Sequence, residues 1–314
     1  MNSNLSNIKK SIYFLNKGEC VAIPTETVYG LAANAYSNTA TSKIFKLKKR
    51  PKTNPLIVHY ATINMLKKDC HLSKNFYKLF KKFSPGPLTF VLKVKKNSKI
   101  SKKVTNNKNT LAVRFPKHNL IKKLLKKINY PLAAPSANIS SQISPVTKED
   151  VIDEFGKKIK FILDGGRSKI GLESTIVSLI KKPQILRLGG IEVNKINQVL
   201  KTNLKFNKKK KKIIVPGQGK IHYSPGIPIR LNVKKPRQNE AFLLIKKRKI
   251  TDKNFYYLSK NSNLKEIAKN LYKTLRMIKK KKFKKIAVEK IPNNGLGQTI
   301  NDRLKRASIK WQFK

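Results

Sequence analysis

The sequence predicts an α/β protein with a large N-terminal unit and a smaller C-terminal one, and three observations carry that reading. Between residues 8 and 200 short apolar runs alternate with helical hydrophobic patterns, the pattern of an α/β domain. From 201 to 212 the chain becomes a lysine and asparagine tract, followed by the Pro/Gly-punctuated segment VPGQGKIHYSPGIPIR, a linker composition. Past Arg230 apolar runs and a long amphipathic stripe resume, which divides the chain into a unit of 1–204, a linker of 205–230 and a unit of 231–314. A chain of 314 residues with 39% hydrophobic content can support two cores.

In the first unit, apolar runs predict strands at 21–23, 56–59, 89–94, 111–115, 132–134, 161–163, 175–180 and 185–188. The first run stops at Pro24 and delivers Thr25, Glu26, Thr27 and Tyr29 into a loop, where Gly30 is expected to let the chain turn closely. A helix over 39–47 follows from Ile44, Phe45 and Leu47, and it ends at a basic cluster before Pro51. A second covers 120–128, with Leu120, Ile121, Leu124, Leu125 and Ile128 on one face, and a third lies at 151–155.

The second unit predicts strands at 242–245 and 286–288. Between them Asn263 with Glu266 has the form of a capping box, opening a helix with the stripe Leu264, Ile267, Ala268, Leu271, Leu275 and Ile278. NNGLGQTINDRLKRAS reads as a glycine loop entering a helix. Its Gly295-x-Gly297 pair fits a capping turn better than a phosphate loop.

The balance of 72 basic against 15 acidic residues gives a formal net charge of +57. The excess is mostly lysine spread from end to end, with many asparagines and isoleucines, so AT-rich coding bias accounts for most of it. A polyanionic partner such as tRNA stays open, because such a field speeds any encounter with nucleic acid. Cys20 and Cys70 are too far apart in sequence for a metal motif, and no His cluster accompanies them; a reduced compartment fits and a zinc site does not. The polar N-terminus MNSNLSNIKKSIYFL lacks a long apolar run, so a soluble cytoplasmic protein without membrane contact is expected.

Chemistry-bearing residues gather at strand ends. Lys48 and Arg50 at a helix-to-loop junction, followed by Asn54 and a strand carrying His59, suit a polyanion pocket, although in so basic a chain a solvated surface is the plainer reading. Thr110 precedes a strand in which Arg114 sits between Val113 and Phe115; burial there demands a ligand anion or an internal carboxylate. In PLAAPSANISSQISP the strand stops at Pro135 and exposes Ser136, Asn138 and Ser144, an ordinary turn or a binding edge. Arg187, on a strand beside the one opened by Glu173 and Ser174, pairs with Arg114 in suggesting one shared anionic ligand. The linker carries Gln218, His222 and Tyr223, odd content for a spacer. There is no Ser/His/Asp elbow, no P-loop and no dinucleotide fingerprint.

The ordered set PTETVYGL, KxRP, NPLIVH, SPGPLTFVL, AVRFP, APSAN, SP, LDGG, ESTIV and LRLGG resembles the YrdC-like family, the L-threonylcarbamoyladenylate synthases. PGQGKIHYSPGIP and GLGQTINDRLKRAS resemble its longer, two-domain form, so the likeness covers nearly the whole chain. It implies a twisted, mixed open sheet with flanking helices around a large concave site, plus a small C-terminal Rossmann-like α/β domain. It also implies an enzyme that makes threonylcarbamoyl-AMP and pyrophosphate from L-threonine, bicarbonate or CO2, and ATP, usually with Mg2+. The product serves the threonylcarbamoyladenosine modification of tRNA through partner proteins that transfer the group.

By that resemblance the basic and polar tetrad is Lys48, Arg50, Ser136 and Asn138. The threonine pocket involves Thr27, His59, Arg114, Ala134 and Ser174. ATP is held by Arg50, Asn54, Thr110, Ser136, Ser144 and Arg187, with His222 and Tyr223 of the linker closing over it. No metal-ligand set is implied. The competing class is an RNA-binding or ribosome-assembly protein on the same fold, which would not need these side chains. A carbamoyl-transfer domain is a weaker third, since its zinc-finger-like cysteines are absent.

Overall fold

The computed structural model describes residues 3–206, 222–249 and 252–309; most of the lysine tract and Gln218 lie outside them. The first unit runs α1 (Ser3–Asn16), β1 (Val21–Ile23), β2 (Gly30–Asn34), α2 (Asn38–Lys48), β3 (Ile57–His59), α3 (Ile63–Asp69), α4 (Lys74–Phe83), β4 (Leu88–Lys93), α5 (Lys102–Thr105), β5 (Thr110–Arg114), α6 (Asn119–Lys126), β6 (Leu132–Ala133), α7 (Lys148–Phe155), β7 (Phe161–Ile162), β8 (Thr175–Ser178), β9 (Gln184–Arg187) and α8 (Val193–Leu200). Among the described residues these strands form one sheet in the order β7-β1-β2-β6-β3-β5-β4-β8-β9. It is mixed: β1/β7, β3/β5 and β4/β8 are parallel, whereas β1/β2, β2/β6, β3/β6, β4/β5 and β8/β9 are antiparallel.

Every strand expected in this unit forms, within a residue or two at each end. One that was not expected is β2. The sequence reading made Gly30 a turn; instead Gly30 pairs with Ile23 and opens β2 without a positive φ. Gly-Leu-Ala-Ala-Asn has little β propensity, and burial between β1 and β6 decides its state. Helix α1 also went unread; Ile8 and Leu15 seat it in the same apolar cluster as Leu120, Ile121 and Leu124 of α6.

The second unit runs β10 (Ile229–Arg230), β11 (Glu240–Leu244), β12 (Phe255–Tyr257), α9 (Leu264–Lys280), β13 (Lys285–Val288) and α10 (Leu296–Ser308). Its sheet order is β10-β13-β11-β12 and all its pairs are parallel, the Rossmann-like arrangement expected. The capping box is only half made. Asn263 caps the backbone N–H groups of Lys265 and Glu266, but the Glu266 carboxylate takes Ser259 Oγ and Lys260 N instead of the cap backbone. At Gly295-x-Gly297 a Cβ on Gly297 would fall 1.9 Å from the Pro292 carbonyl oxygen, so that glycine serves close packing.

The two units share a wall. One hydrophobic cluster joins Val28, Ile143, Val146 and Leu172 of the first to Leu271, Tyr272, Leu275 and Ile300 of the second. Gly171 is required there: its φ is +75° and a Cβ would lie 2.7 Å from the α9 backbone at Ala268 and Lys269. Arg276 of α9 crosses the same wall to Glu154, 2.9 Å away on α7.

Candidate active site

The sheet itself lines up the site. His59 of β3 is in register with Arg114 of β5, Arg114 with Thr89 of β4, Thr89 with Ile176 of β8, and Ile176 with Arg187 of β9. Residues directly opposite across strands project to the same face, so two arginines and a histidine stand in one lateral row. Ile57, Val91 and Ala112, two residues along, form with Ile176 and Leu186 an apolar floor beside it.

The loop after β1 supplies the opposite wall. Thr25 Oγ1 accepts the backbone N–H groups of Thr27 and Val28 at 3.1 and 3.2 Å, a local turn that fixes the loop. Thr27 is thereby presented to Arg114, whose Nη1 donates to Thr27 Oγ1 at 2.9 Å. Arg114 also lies 2.7 Å from Glu26 Oε1 and donates through Nε to the Gly86 carbonyl. The internal carboxylate and the cavity wall are therefore both real features of Arg114. Burial, with the neighbouring Arg114 charge, pulls His59 well below its usual range and keeps the imidazole neutral; its Nδ1 has no partner among the described residues. Ser174 Oγ is 2.7 Å from Thr89 Oγ1, and Arg187 donates to the Ser174 carbonyl and hydroxyl.

On the other side, α2 ends at Lys48, Lys49 takes a left-handed conformation (φ 48°), and Arg50 follows. Its guanidinium donates to the carbonyls of Asn54 and Pro55 across its own loop. Burial and then the Arg187 charge lower Arg50 to about 9, still protonated at neutral pH.

One cavity collects Thr27, Arg50, His59, Arg114, Ala134, Ser136, Ser174, Arg187, His222 and Tyr223 of the expected residues. Five others stand outside its lining. Lys48 Nζ donates to the carbonyls of Ser136 and Asn138, 2.5 Å each, and so holds the loop rather than the cavity. Asn138 braces that loop through the carbonyls of Ile139 and Gln142. Asn54 offers Arg50 its carbonyl, Thr110 begins β5 opposite Lys93, and Ser144 donates to Glu173 at 2.6 Å.

Sequence reasoning did not single out Glu173, Tyr272 and Arg303 as parts of one network. Glu173 lines the cavity. Arg303 Nε donates to its Oε2 at 2.9 Å, and the Tyr272 hydroxyl sits 3.1 Å from both its oxygens. Burial alone would raise Glu173, but Arg303, Arg187 and the Ser144 hydroxyl bring its carboxyl down to about 2. Nothing in the helical run DRLKRAS marks Arg303; only the packing of one unit on the other does.

The linker's His222 and Tyr223 close the cavity. Burial takes His222 down to about 3 and raises Tyr223 to about 12, so both are neutral. His222 Nδ1 and the Tyr223 hydroxyl are buried without partners among the described residues. The remaining space is about 40 Å³, room for a few waters. No group of three or more His, Cys, Asp or Glu suited to a metal occurs among the described residues, and none of their helices is long and apolar enough to cross a membrane.

Two family models match in tandem: Sua5_yciO_yrdC, described as telomere recombination, over residues 13–189, and the threonylcarbamoyl-AMP synthase C-terminal domain over 191–308. A Pyrococcus abyssi relative named threonylcarbamoyl-AMP synthase is 36% identical over 94% of this chain and 92% of its own length. The solved structure of P. abyssi Sua5 complexed with L-threonine superposes with a TM-score of 0.88 at 34% identity, covering 96% of this chain and 94% of that one. A Vibrio vulnificus protein of the same name is 34% identical over 51% of this chain but 87% of its own length. None of these names supports the RNA-binding or ribosome-assembly alternative. With both halves matched in order, the chain belongs to the Sua5/YciO/YrdC family, in the two-domain form that carries the threonylcarbamoyl-AMP synthase C-terminal domain.

Proposed function

We infer that this chain is a threonylcarbamoyl-AMP synthase, making that product and pyrophosphate from L-threonine, bicarbonate or CO2, and ATP. The observation that carries the reading is the single cavity in which a carboxylate clamp, Arg114 with Thr27, faces a second cationic wall, Arg50 with Arg187.

Arg114 binds the threonine carboxylate, as a guanidinium fork suits. His59, Thr27 and Ser174 surround the rest of the amino acid, and a site of buried polar groups penalises valine, which would leave them unpaired. The threonine amine adds to CO2 and loses a proton, giving a carbamate. A carbamate oxygen then forms a bond to the α-phosphorus of ATP while the bond to the leaving pyrophosphate breaks. No protein nucleophile is needed: positioning and charge stabilisation suffice. Arg50 and Arg187 stabilise charge on the phosphates, Ser136 lies along them, and Tyr223 and His222 cover them. Glu173, the cavity's acid beside the arginines, is already engaged by Arg303, Tyr272 and Ser144; we therefore assign magnesium to the substrate, as MgATP. The reactive product requires a transferase partner acting on tRNA, in the cytoplasm.

The test is pyrophosphate release from MgATP and bicarbonate, with and without L-threonine, with serine and valine as controls. Threonine-dependent release is the expected result. Release that ignores threonine, or none at all, overturns the assignment.

A further inference from the structure

A depression of about 580 Å³ opens in the second unit where the chain approaches β11, β12 and β13, and it shares no lining residue with the active-site cavity. Its wall holds Asp252. In a chain with 72 basic residues against 15 acidic ones a carboxylate without a basic partner stands out. Among the described residues Asp252 has none: it is exposed, and its Oδ1 takes only the Asn254 backbone N–H, at 3.3 Å. Other groups in the same wall are also unspent. The Asn254 side chain is fixed by donating through Nδ2 to the Glu240 carbonyl at 2.8 Å, but its Oδ1 is buried without a partner. So is the hydroxyl of Tyr256, a residue only 5% exposed. Buried polar atoms are nearly always paired, so these orphans beside an unpaired acid mark a place where a ligand supplies the missing hydrogen bonds.

The rest of the wall indicates the ligand's chemistry. Phe283 meets Tyr256 edge to face, with centroids 5.8 Å apart. Lys253 and Lys281 are exposed, and the Lys281 ammonium lies 5.6 Å over the Tyr256 ring. Acceptors beside aromatic surface suit a flat heterocycle that bears an amino group, and lysines at the rim suit a phosphate. We propose that this depression binds a nucleotide whose base carries an exocyclic amine, which donates to Asp252 and Asn254 Oδ1 while Lys253 and Lys281 hold the phosphate. Cytosine, adenine and guanine present such a donor, whereas uracil would turn a carbonyl oxygen toward the carboxylate. A parallel sheet more often takes its ligand at the carboxyl ends of its strands. Here the space at that end is about 270 Å³, and its carboxylate, Glu289, is already held by Arg248 and the Ile245 N–H.

The test is calorimetric titration of the full chain with CMP, GMP and UMP, and with short unpaired oligocytidylate and oligouridylate. Adenine nucleotides are left out, so the outcome does not depend on the synthase reading. Cytosine and guanine probes should bind about tenfold or more tightly than their uracil counterparts, the discrimination of one good base contact. Asp252→Asn keeps the Oδ1 acceptor of the turn, adds an amide donor, and should abolish that preference. Lys253→Gln combined with Lys281→Gln should weaken every probe alike. Binding of the mononucleotides identifies a free nucleotide as the ligand, and binding of the oligomers alone identifies an unpaired residue of an RNA. No binding by any probe, binding indifferent to the base, or a preference that survives Asp252→Asn overturns the proposal. Pyrophosphate release should be unchanged in both variants; a parallel loss would mean that the probes report on the active-site cavity, and it overturns the proposal equally.

Discussion

Lys48→Met separates two roles for a buried lysine that sequence alone assigns to the phosphates. In the structure its ammonium reaches the carbonyls of Ser136 and Asn138 at 2.5 Å and is absent from the cavity lining. Burial, and then the Arg50 charge, push its pKa well below the usual lysine value. Methionine approximates the stem and removes the donor, leaving two carbonyl groups to find partners at about 1–3 kcal/mol each. Removing a desolvated amine offsets part of this, so the net loss of stability should be about 1–3 kcal/mol. The loop carrying Ser136 should also shift, and a displacement of about 1 Å at a positioning element reduces turnover about 10²-fold. Urea unfolding at neutral pH reads the first effect and pyrophosphate release the second. If Lys48→Met is as stable as wild type while turnover falls about 10³-fold, the ammonium acts directly on the phosphates, and the loop-anchoring account is wrong.

Two further outcomes follow from the cavity wall. Glu173 has a folded pKa of about 2 against an ordinary value of 4.5, so its contribution is complete above the unfolded pKa and is lost as pH falls from about 4.5 toward 2. The shift corresponds to about 3 kcal/mol; an acid-unfolding profile of Glu173→Gln should lack this component, and an unchanged profile would contradict the coupling to Arg303. Thr27→Val keeps the shape but removes the acceptor for Arg114 Nη1, which should destabilise the fold by about 1–3 kcal/mol. Steady-state kinetics should show a raised KM for threonine with little change for ATP; equal changes in both would place Thr27 outside the amino-acid side.

The sequence made the strand ends legible because apolar runs stop at a proline, as at Pro24 and Pro135, or at polar and cationic residues such as Arg114 and Arg187 that need a ligand or a partner. Arg114 between Val113 and Phe115 could be read as a buried charge needing an anion, and its partner proved to include Glu26. What escaped was decided by tertiary contact. β2 is a strand because its neighbours bury it, although its glycine and alanines do not favour one. Lys48 faces its loop because the chain reverses at Lys49, a geometry that residue type does not announce. The link from Arg303 to Glu173 spans two units, and no local period records it.

The charge distribution shows where such long-range information was hidden. With 72 basic residues, the presence of another lysine says little, but the chain has only 15 acidic ones. Several of these are held by arginine: Glu26 by Arg114, Asp150 and Glu154 by Arg276, Glu173 by Arg303, Glu240 by Arg230, Glu289 by Arg248, and Asp302 by both Arg303 and Arg306. Two of the pairings, Arg276 with α7 and Arg303 with Glu173, bridge the units. Apart from Arg230 and Arg248, which are partly exposed, these arginines sit in the interior, where the planar fork meets several acceptors at once and is less strongly hydrated than an ammonium. Lysine pairs instead at more exposed positions such as Lys43–Glu19 and Lys280–Asp153, where solvent screens the interaction. In a lysine-saturated chain the rare carboxylates are therefore the charges to follow. Here Glu173 leads from the cavity into the second domain, and that path carries the contacts through which the second domain reaches the site.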